Sequence, residues 1–152
     1  MLTKKHLLAG IAIAAGIGVA ATASAQVKPE TLVKQRQSAM VLVAKYFGPL
    51  GGMAQGRVPF NAEVVARNAG YLEVLARMPW DGFTDATKDV KSATLPAAFA
   101  DPKFKQGQEQ MQTAIANLAA VAKSGDEAKI KAAIGEVGKT CSGCHDNFRE
   151  KQ

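Results

Sequence analysis

The sequence predicts an all-α fold, an antiparallel four-helix bundle. Beyond residue 25 the chain is rich in Ala, Lys, Gln and Glu, which all favour helix. Four segments carry apolar residues at spacings of three and four, and joins rich in Gly and Pro separate them. Only one join, over residues 79–100, is long. Short joins place consecutive helices antiparallel, so we expect a bundle.

The first 25 residues are predicted to be a secretory signal peptide and not part of the fold. Lys4 and Lys5 precede an almost unbroken apolar run over residues 7–20, and small residues ending in Ala-Ser-Ala follow. The apolar run is shorter than the ~20 residues of a spanning helix, which disfavours a membrane anchor. We therefore expect cleavage after Ala25, export to a periplasm, and a mature domain over residues 26–152 with no membrane association.

The first two helices are predicted from their end signals. The first covers residues 29–47, because a proline suits its first turn and Gly48-Pro49 should stop it. The second covers residues 61–78, between Asn61 as N-cap and Pro79. Periodicity assigns their inward faces to Val33, Arg36, Met40, Val43 and Phe47 in the first helix, and to Val64, Val65, Leu72 and Leu75 in the second.

The last two helices are predicted in the same way. Asp101-Pro102 combines an N-cap with a proline in the first turn, and Gly125 is a plausible stop for the third helix. Ser124 and Glu127 have capping-box spacing at the start of the fourth. The inward faces comprise Phe104, Met111, Ile115, Leu118 and Val121 or Ala122 in the third helix, and Ile130, Ile134, Val137, Cys141, Cys144 and Phe148 in the fourth.

The charge of the chain disfavours nucleic acid as a partner. The formal net charge is +6, and the loss of Lys4 and Lys5 with the signal peptide leaves it near +4. Lys and Arg are scattered, with no basic run and few aromatic residues beside them. Such a surface weakly favours acidic partner proteins.

Cys141, Cys144 and His145 form the C-x-x-C-H pattern of c-type haem attachment. Two thiols on one helical turn can add to the two vinyl groups of a porphyrin, and the next imidazole can bind the iron. The chain has two Cys and two His, and His6 belongs to the signal peptide. A disulfide would close a tiny loop, a thioredoxin-like pair lacks βαβ surroundings, and a zinc site lacks ligands. The pattern therefore predicts one covalent haem c.

Helix one offers candidate groups for the other side of this haem. Met40 is a candidate distal iron ligand, although a Met on an apolar stripe is more often ordinary core packing. Arg36 shares the inward face and could pair with a haem propionate, or extend to the surface of the bundle. Gln37 could add a hydrogen bond to the haem. The other soft side chains of the mature chain are Met53, Met78 and Met111.

These motifs together resemble the class II c-type cytochromes, the cytochrome c-prime family. The resemblance covers essentially the whole mature chain, and rests on the Arg-Gln-Ser-Ala run at 36–39, the Pro-Trp pair at 79–80, and the C-x-x-C-H-x-x-F-R run at 141–149 near the C-terminus. It implies a left-handed four-helix bundle in the bacterial periplasm, usually a homodimer. It also implies thioethers at Cys141 and Cys144, a proximal ligand at His145, and haem contacts at Arg36, Gln37 and Thr87.

The resemblance frames two functions that differ at Met40. Low-spin members of the family carry a Met ligand there, so we expect an electron carrier that exchanges electrons with periplasmic redox proteins. High-spin members carry a non-ligating Leu, Phe or Tyr and bind nitric oxide or carbon monoxide; Met40 would then be only a bulky distal wall. An enzyme of the peroxidase type is not expected, because no second His is available for acid–base work. Val41, Leu42 and Tyr46 lie off the inward stripe and could form a dimer patch.

Overall fold

Four helices, α1 (Pro29–Ala54), α2 (Ala62–Leu75), α3 (Pro102–Ala122) and α4 (Glu127–Phe148), form the body of the computed structural model. The structure describes residues 26–151, so the predicted signal peptide lies outside the described residues. Each helix packs against the next one in the chain, and α1 also packs against α4. The predicted all-α four-helix bundle is thus confirmed.

Helix α1 extends further than the sequence predicts. It continues through Pro49 to Ala54, so the prediction that Gly48-Pro49 ends it is wrong. A proline inside a helix costs about 3 kcal/mol. Leu50 is fully buried and Met53 is 7% exposed, just beyond this point. Because burying each such side chain contributes about 1.5–3 kcal/mol, core packing offsets the cost of the proline.

The other three helices begin at side chains that cap their first turn. Asn61 Oδ1 accepts from Val64 N at 2.9 Å, and Asp101 Oδ1 accepts from Lys103 N at 2.8 Å. The sequence predicts that α4 starts near Ser124, in a capping box with Glu127. Its N-cap is instead Asp126, whose Oδ1 accepts from Lys129 N at 3.1 Å, and Ser124 lies outside the helix. Helix α2 ends at Leu75, three residues earlier than predicted.

A long connection over residues 76–101 joins α2 to α3. It contains three short 3₁₀ turns at Trp80–Gly82, Asp85–Thr87 and Pro96–Phe99. Its only β-type contact within the described residues is an isolated antiparallel bridge between Thr94 and Arg149. The connection therefore covers one end of the bundle and reaches the last turn of α4.

A solid apolar core fills the opposite end of the bundle. The fully buried side chains there come from all four helices: Leu50, Val65, Leu72, Ile115, Leu118, Ile130, Ile134 and Val137. In α4 this core occupies the first half of the predicted stripe, whereas Cys141 and Cys144 are only half-buried. The end of the bundle that carries the two cysteines is thus the one that leaves space between the helices. None of the helices within residues 26–151 is long and apolar enough to cross a membrane.

Gly82 is the position in the connection that requires a glycine, because a side chain there would collide with α1. A Cβ atom at Gly82 would lie 2.8 Å from Leu32 O and 2.9 Å from Arg36 Cβ. We expect Gly82→Ala to lower the free energy of unfolding by about 1–3 kcal/mol, because overpacking forces the backbone to shift. Urea denaturation followed by circular dichroism measures this.

The matched control is Gly70→Ala, on the exposed face of α2. An added Cβ there meets nothing within 4 Å. Since Ala is a better helix former than Gly by about 1 kcal/mol, this variant should gain stability. Equal effects of the two variants would contradict the steric argument.

Candidate functional site

A cavity of about 600 Å³ lies between the middle of α1, the first half of α3, the last turns of α4 and part of the long connection. It falls within the range of about 300–1,000 Å³ that is typical of cofactor and ligand sites. Among the residues predicted to form a site, the cavity brings together all but Thr87. The members that line it are Arg36, Gln37, Met40, Cys141, Cys144 and His145.

The last turns of α4 present the C-x-x-C-H run to this cavity. Cys141 and Cys144 are free thiols and half-buried, and burial raises the pKa of both. His145 is exposed at the mouth of the cavity. Partial burial of its imidazole, followed by the charge of Arg149, lowers the pKa of His145. This direction favours the neutral imidazole, which is the form that binds a metal.

Helix α1 forms the facing wall of the cavity. Met40 is half-buried in this wall, and Gln37 is exposed at its rim. Val43, Ala44 and Phe47 continue the wall along the helix. The thioether of Met40 and the imidazole of His145 therefore line one cavity from two different helices.

Helix α3 contributes a glycine to the cavity wall, Gly107, which the sequence analysis did not identify. Gly107 faces α4, and a Cβ atom placed on it would lie 3.9 Å from both Cβ and Sγ of Cys144. A glycine inside a helix costs about 0.5–1 kcal/mol relative to Ala. Its effect here is to leave room beside the Cys144 thiol.

An aromatic cluster of Trp80, Phe83, Phe99, Phe104 and Phe148 lies between the cavity and the connection, and all but Phe99 line the cavity. Ring centroids of Phe83 and Phe104 are 4.8 Å apart, and those of Phe104 and Phe148 are 5.3 Å apart. Trp80 donates its Nε1–H to Ala76 O at 2.6 Å, so its indole is fixed. The cavity thus has a rigid, largely apolar wall suited to a flat apolar group.

Arg36 is buried, with 3% of its surface exposed, and neutral oxygens hold its guanidinium. The four acceptors are Gly82 O at 2.6 Å and Thr87 Oγ1 at 3.2 Å from Nη1, and Ser92 Oγ and Thr94 Oγ1, both at 3.1 Å, from Nη2. The guanidinium carbon also lies 4.3 Å from the centre of the Phe83 ring. Burial lowers the pKa of Arg36, but a guanidinium stays charged at any ordinary pH.

The four hydrogen bonds of Arg36 limit how this residue could pair with a haem propionate. Four acceptors match the four N–H bonds on the terminal nitrogens of Arg36, which leaves the Nε–H bond for another acceptor. A two-pronged pairing with a carboxylate would have to displace some of the protein oxygens. The propionate role of Arg36 stays a prediction, and this geometry favours a single hydrogen bond.

Thr87 does not line the cavity. It is fully buried, accepts from Arg36, and donates to Gly82 O at 2.9 Å. The structure therefore places Thr87 behind Arg36, and its predicted haem contact stays a prediction. Thr94 was absent from the sequence prediction, yet it lines the cavity and holds Arg36. No periodic signal marks it, since it belongs to the irregular connection.

The residues present fit a covalently bound haem. Two thiols and one imidazole lie on one wall, aromatic and aliphatic side chains form the others, and a guanidinium lies at the margin. Within residues 26–151 no group of three or more His, Cys, Asp and Glu side chains is arranged to hold a metal ion. The donor set provides two attachment points and one axial nitrogen, which is what a c-type haem uses.

Comparisons with known proteins identify a single family. The family model described as Cytochrome C′ matches residues 31–149. A cytochrome c′ of Rubrivivax gelatinosus is 41% identical over 126 residues, which are 82% of this chain and 98% of that protein. A crystal structure of cytochrome c′ from the same organism has a TM-score of 0.76 at 40% identity, and the match covers 81% of this chain and 98% of that one. A nitric oxide complex of a mutant cytochrome c prime from Alcaligenes xylosoxidans has a TM-score of 0.75 at 38% identity, with 82% and 98% covered.

Proposed function

Because the chain belongs to the cytochrome c′ family, whose members bind one covalent haem c, we propose that Cys141 and Cys144 attach this haem through thioether bonds and that His145 binds its iron. The observation that carries this proposal is the cavity, which both thiols and the imidazole of the mature chain line together. The apolar walls from α1, α3 and the aromatic cluster would hold the apolar macrocycle.

We propose further that the cavity, with haem attached, would admit a small uncharged ligand, nitric oxide above all, beside the wall that carries Met40. The bound haem supplies the iron that takes this ligand. Structures of a relative with 38% sequence identity include a nitric oxide complex, which supports this choice. Met40 then crowds the distal side and restricts it to small ligands. The electron-transfer function expected from the sequence becomes the second candidate.

The chemistry of the lining favours ligand binding without turnover. Among residues 26–151, no Asp or Glu lines the cavity. Its one His is the proposed proximal ligand, so the distal wall has no acid–base group of the kind that cleaves bound peroxide. The mostly apolar side chains of this wall favour an uncharged ligand, and they offer it no acid–base chemistry. We therefore propose a binding protein and not an enzyme.

A second candidate function rests on the half-buried thioether of Met40. If Met40 binds the iron, both axial positions are filled, and the thioether raises the reduction potential relative to His ligation alone. The protein would then carry electrons to and from other redox proteins. The same cavity wall serves either function, and the two candidates differ only in whether the Met40 sulfur reaches the iron.

Absorption spectra of the purified haem protein, with and without carbon monoxide, test these candidates. For ligand binding we expect a high-spin ferric spectrum and a ferrous spectrum that shifts with carbon monoxide. Met40→Ala should then bind carbon monoxide at least about tenfold more tightly, or about 1.4 kcal/mol, because crowding is relieved. Low-spin spectra that do not respond to carbon monoxide, and a change to high spin in Met40→Ala, would instead mean that Met40 binds the iron, and would favour electron transfer.

The control variant is Met111→Ala, which enlarges the same cavity from α3. Met111 is 6% exposed and belongs to the core cluster. We expect this variant to lose stability by about 2–5 kcal/mol with a smaller gain in ligand affinity. Equal gains in the two variants would mean that cavity volume, and not Met40 in particular, limits the affinity.

We also propose that the protein is exported to a periplasm. We propose further that two copies of the chain pair through the outer faces of α1 and α2. Val41 is 67% exposed, Leu42 is 40% exposed, and Tyr71 and Val74 on α2 are also exposed. Tyr46 is half-buried and packs on Tyr71, with ring centroids 4.9 Å apart, so it links the two helices. Because Val41 also lines the cavity, the test is analytical ultracentrifugation of the wild type and of Val74→Glu on α2, with a monomeric wild type as the contrary result.

A further inference from the structure

The last turn of α4 is held by the long connection. Leu95 N donates to Phe148 O at 2.9 Å, and Glu150 N donates to Ala93 O at 2.8 Å, on either side of the Thr94–Arg149 bridge. A helix end leaves its last carbonyl groups without partners and tends to fray. This pairing supplies a partner for the carbonyl group of Phe148, three residues after His145. It therefore restrains the turn that carries the proposed iron ligand.

Thr94 joins this pairing to the opposite wall of the cavity. Its backbone belongs to the bridge with α4, while its Oγ1 accepts from Arg36 Nη2 at 3.1 Å. Arg36 is buried on α1, the helix that carries Met40. Thr94 thus connects the proximal turn of α4 to the distal helix through one residue.

A second contact path runs beside the first. The guanidinium of Arg36 stacks on Phe83, Phe83 packs on Phe104, and Phe104 packs on Phe148. Arg36 therefore contacts the end of α4 both through a hydroxyl group and through three aromatic rings. The packed rings of Phe83, Phe104 and Phe148 limit how closely the end of α4 can approach α1. The hydrogen bond from Arg36 to Thr94 fixes the connection beside it. Together, the two contact paths fix the position of the last turn of α4.

We propose that Thr94 is a positioning residue for His145. Its hydroxyl, held by Arg36, fixes the pairing of the connection with α4 and thereby the direction in which the imidazole meets the iron. Interactions outside the ligands themselves orient an imidazole and tune the metal it binds. This inference rests on the proposed ligation by His145.

The test is Thr94→Val, measured on the haem-loaded protein. Valine keeps the shape and the backbone pairing and removes only the oxygen that accepts from Arg36. We expect a shifted or broadened iron–imidazole stretching band in the resonance Raman spectrum of the ferrous protein, together with a shifted reduction potential. If Met40 binds the iron and hides that band, the potential alone decides. Thr94→Ser retains the hydroxyl and should restore both wild-type values.

The matched control is Ser92→Ala. Ser92 Oγ accepts from the same nitrogen of Arg36 at the same distance of 3.1 Å and also accepts from Thr94 N at 3.4 Å, but the backbone of Ser92 does not pair with the described part of α4. Its loss should lower stability like that of the Thr94 hydroxyl, and it should shift the band and the potential clearly less than Thr94→Val does. Wild-type values in Thr94→Val, or equal shifts in both variants, would overturn the inference. A wild-type iron without imidazole ligation, seen by electron paramagnetic resonance, would overturn the proposed ligation instead.

Discussion

Replacing both Cys141 and Cys144 with Ser is expected to abolish covalent haem attachment. The thiols are the only ones in the chain, so no other side chain can form a thioether. The hydroxyl of Ser does not add to a vinyl group under the conditions in which a thiol does. Haem staining of a denaturing gel should show a stained wild-type band and an unstained band for the variant. Acid–acetone extraction should release haem from the variant alone.

The matched control is Ser142→Ala, inside the same run. Ser142 is exposed, and its hydroxyl donates only to Gly138 O and Lys139 O of its own helix. This variant should stain like the wild type. Persistent staining of the double Cys variant would contradict the attachment proposal, whereas loss of staining in Ser142→Ala would point to a general defect in maturation.

The indole of Trp80 provides an independent readout of the same variants. It is the only Trp in the chain, and it lines the cavity. A haem in the cavity should quench its fluorescence strongly. The double Cys variant should therefore fluoresce brightly once any loosely held haem is removed, and the wild type should stay dim until it is unfolded.

The sequence predicts correctly those parts of the fold that depend on the spacing of apolar residues within one helix. The inward stripes of α3 and α4 contain the buried residues Ile115, Leu118, Ile130, Ile134 and Val137, as the spacing of three and four indicates. The end of α1 was missed because a local rule about proline was outweighed by burial of Leu50 and Met53, which depends on the other helices.

The same distinction between local patterns and contacts of distant segments applies to the site. The C-x-x-C-H run is contiguous, so sequence alone locates it. Arg36 was found because a charged residue on an apolar stripe is conspicuous, but its neutral partners lie 46 to 58 residues away in the connection. Gly107 and Thr94 carried no signal, because their roles come from which segments of the chain meet around the cavity.

Arg36→Leu is expected to be among the most destabilising single substitutions in the chain. The variant removes four hydrogen bonds and the stacking on Phe83, and it leaves the buried carbonyl group of Gly82 with only the Thr87 hydroxyl as a donor. A hydrogen bond to a charged group contributes about 1.5–3 kcal/mol. Because the variant also removes the cost of burying the guanidinium, we expect a net loss of about 2–5 kcal/mol. Since the connection depends on this guanidinium at four points, we expect the cost to appear there first. Guanidinium chloride denaturation of the haem-loaded protein measures it.

Two comparison variants separate the roles of charge and shape at this position. Arg36→Lys keeps the charge but replaces the planar fork with a single ammonium group, so it should recover less than half of the loss. Arg77→Leu removes an exposed arginine just after α2 and should change stability by less than about 0.5 kcal/mol. A loss below about 1 kcal/mol in Arg36→Leu would mean that the aromatic cluster holds the connection without Arg36. Full recovery in Arg36→Lys would mean that the positive charge alone, and not the four directed bonds, stabilises this end of the bundle.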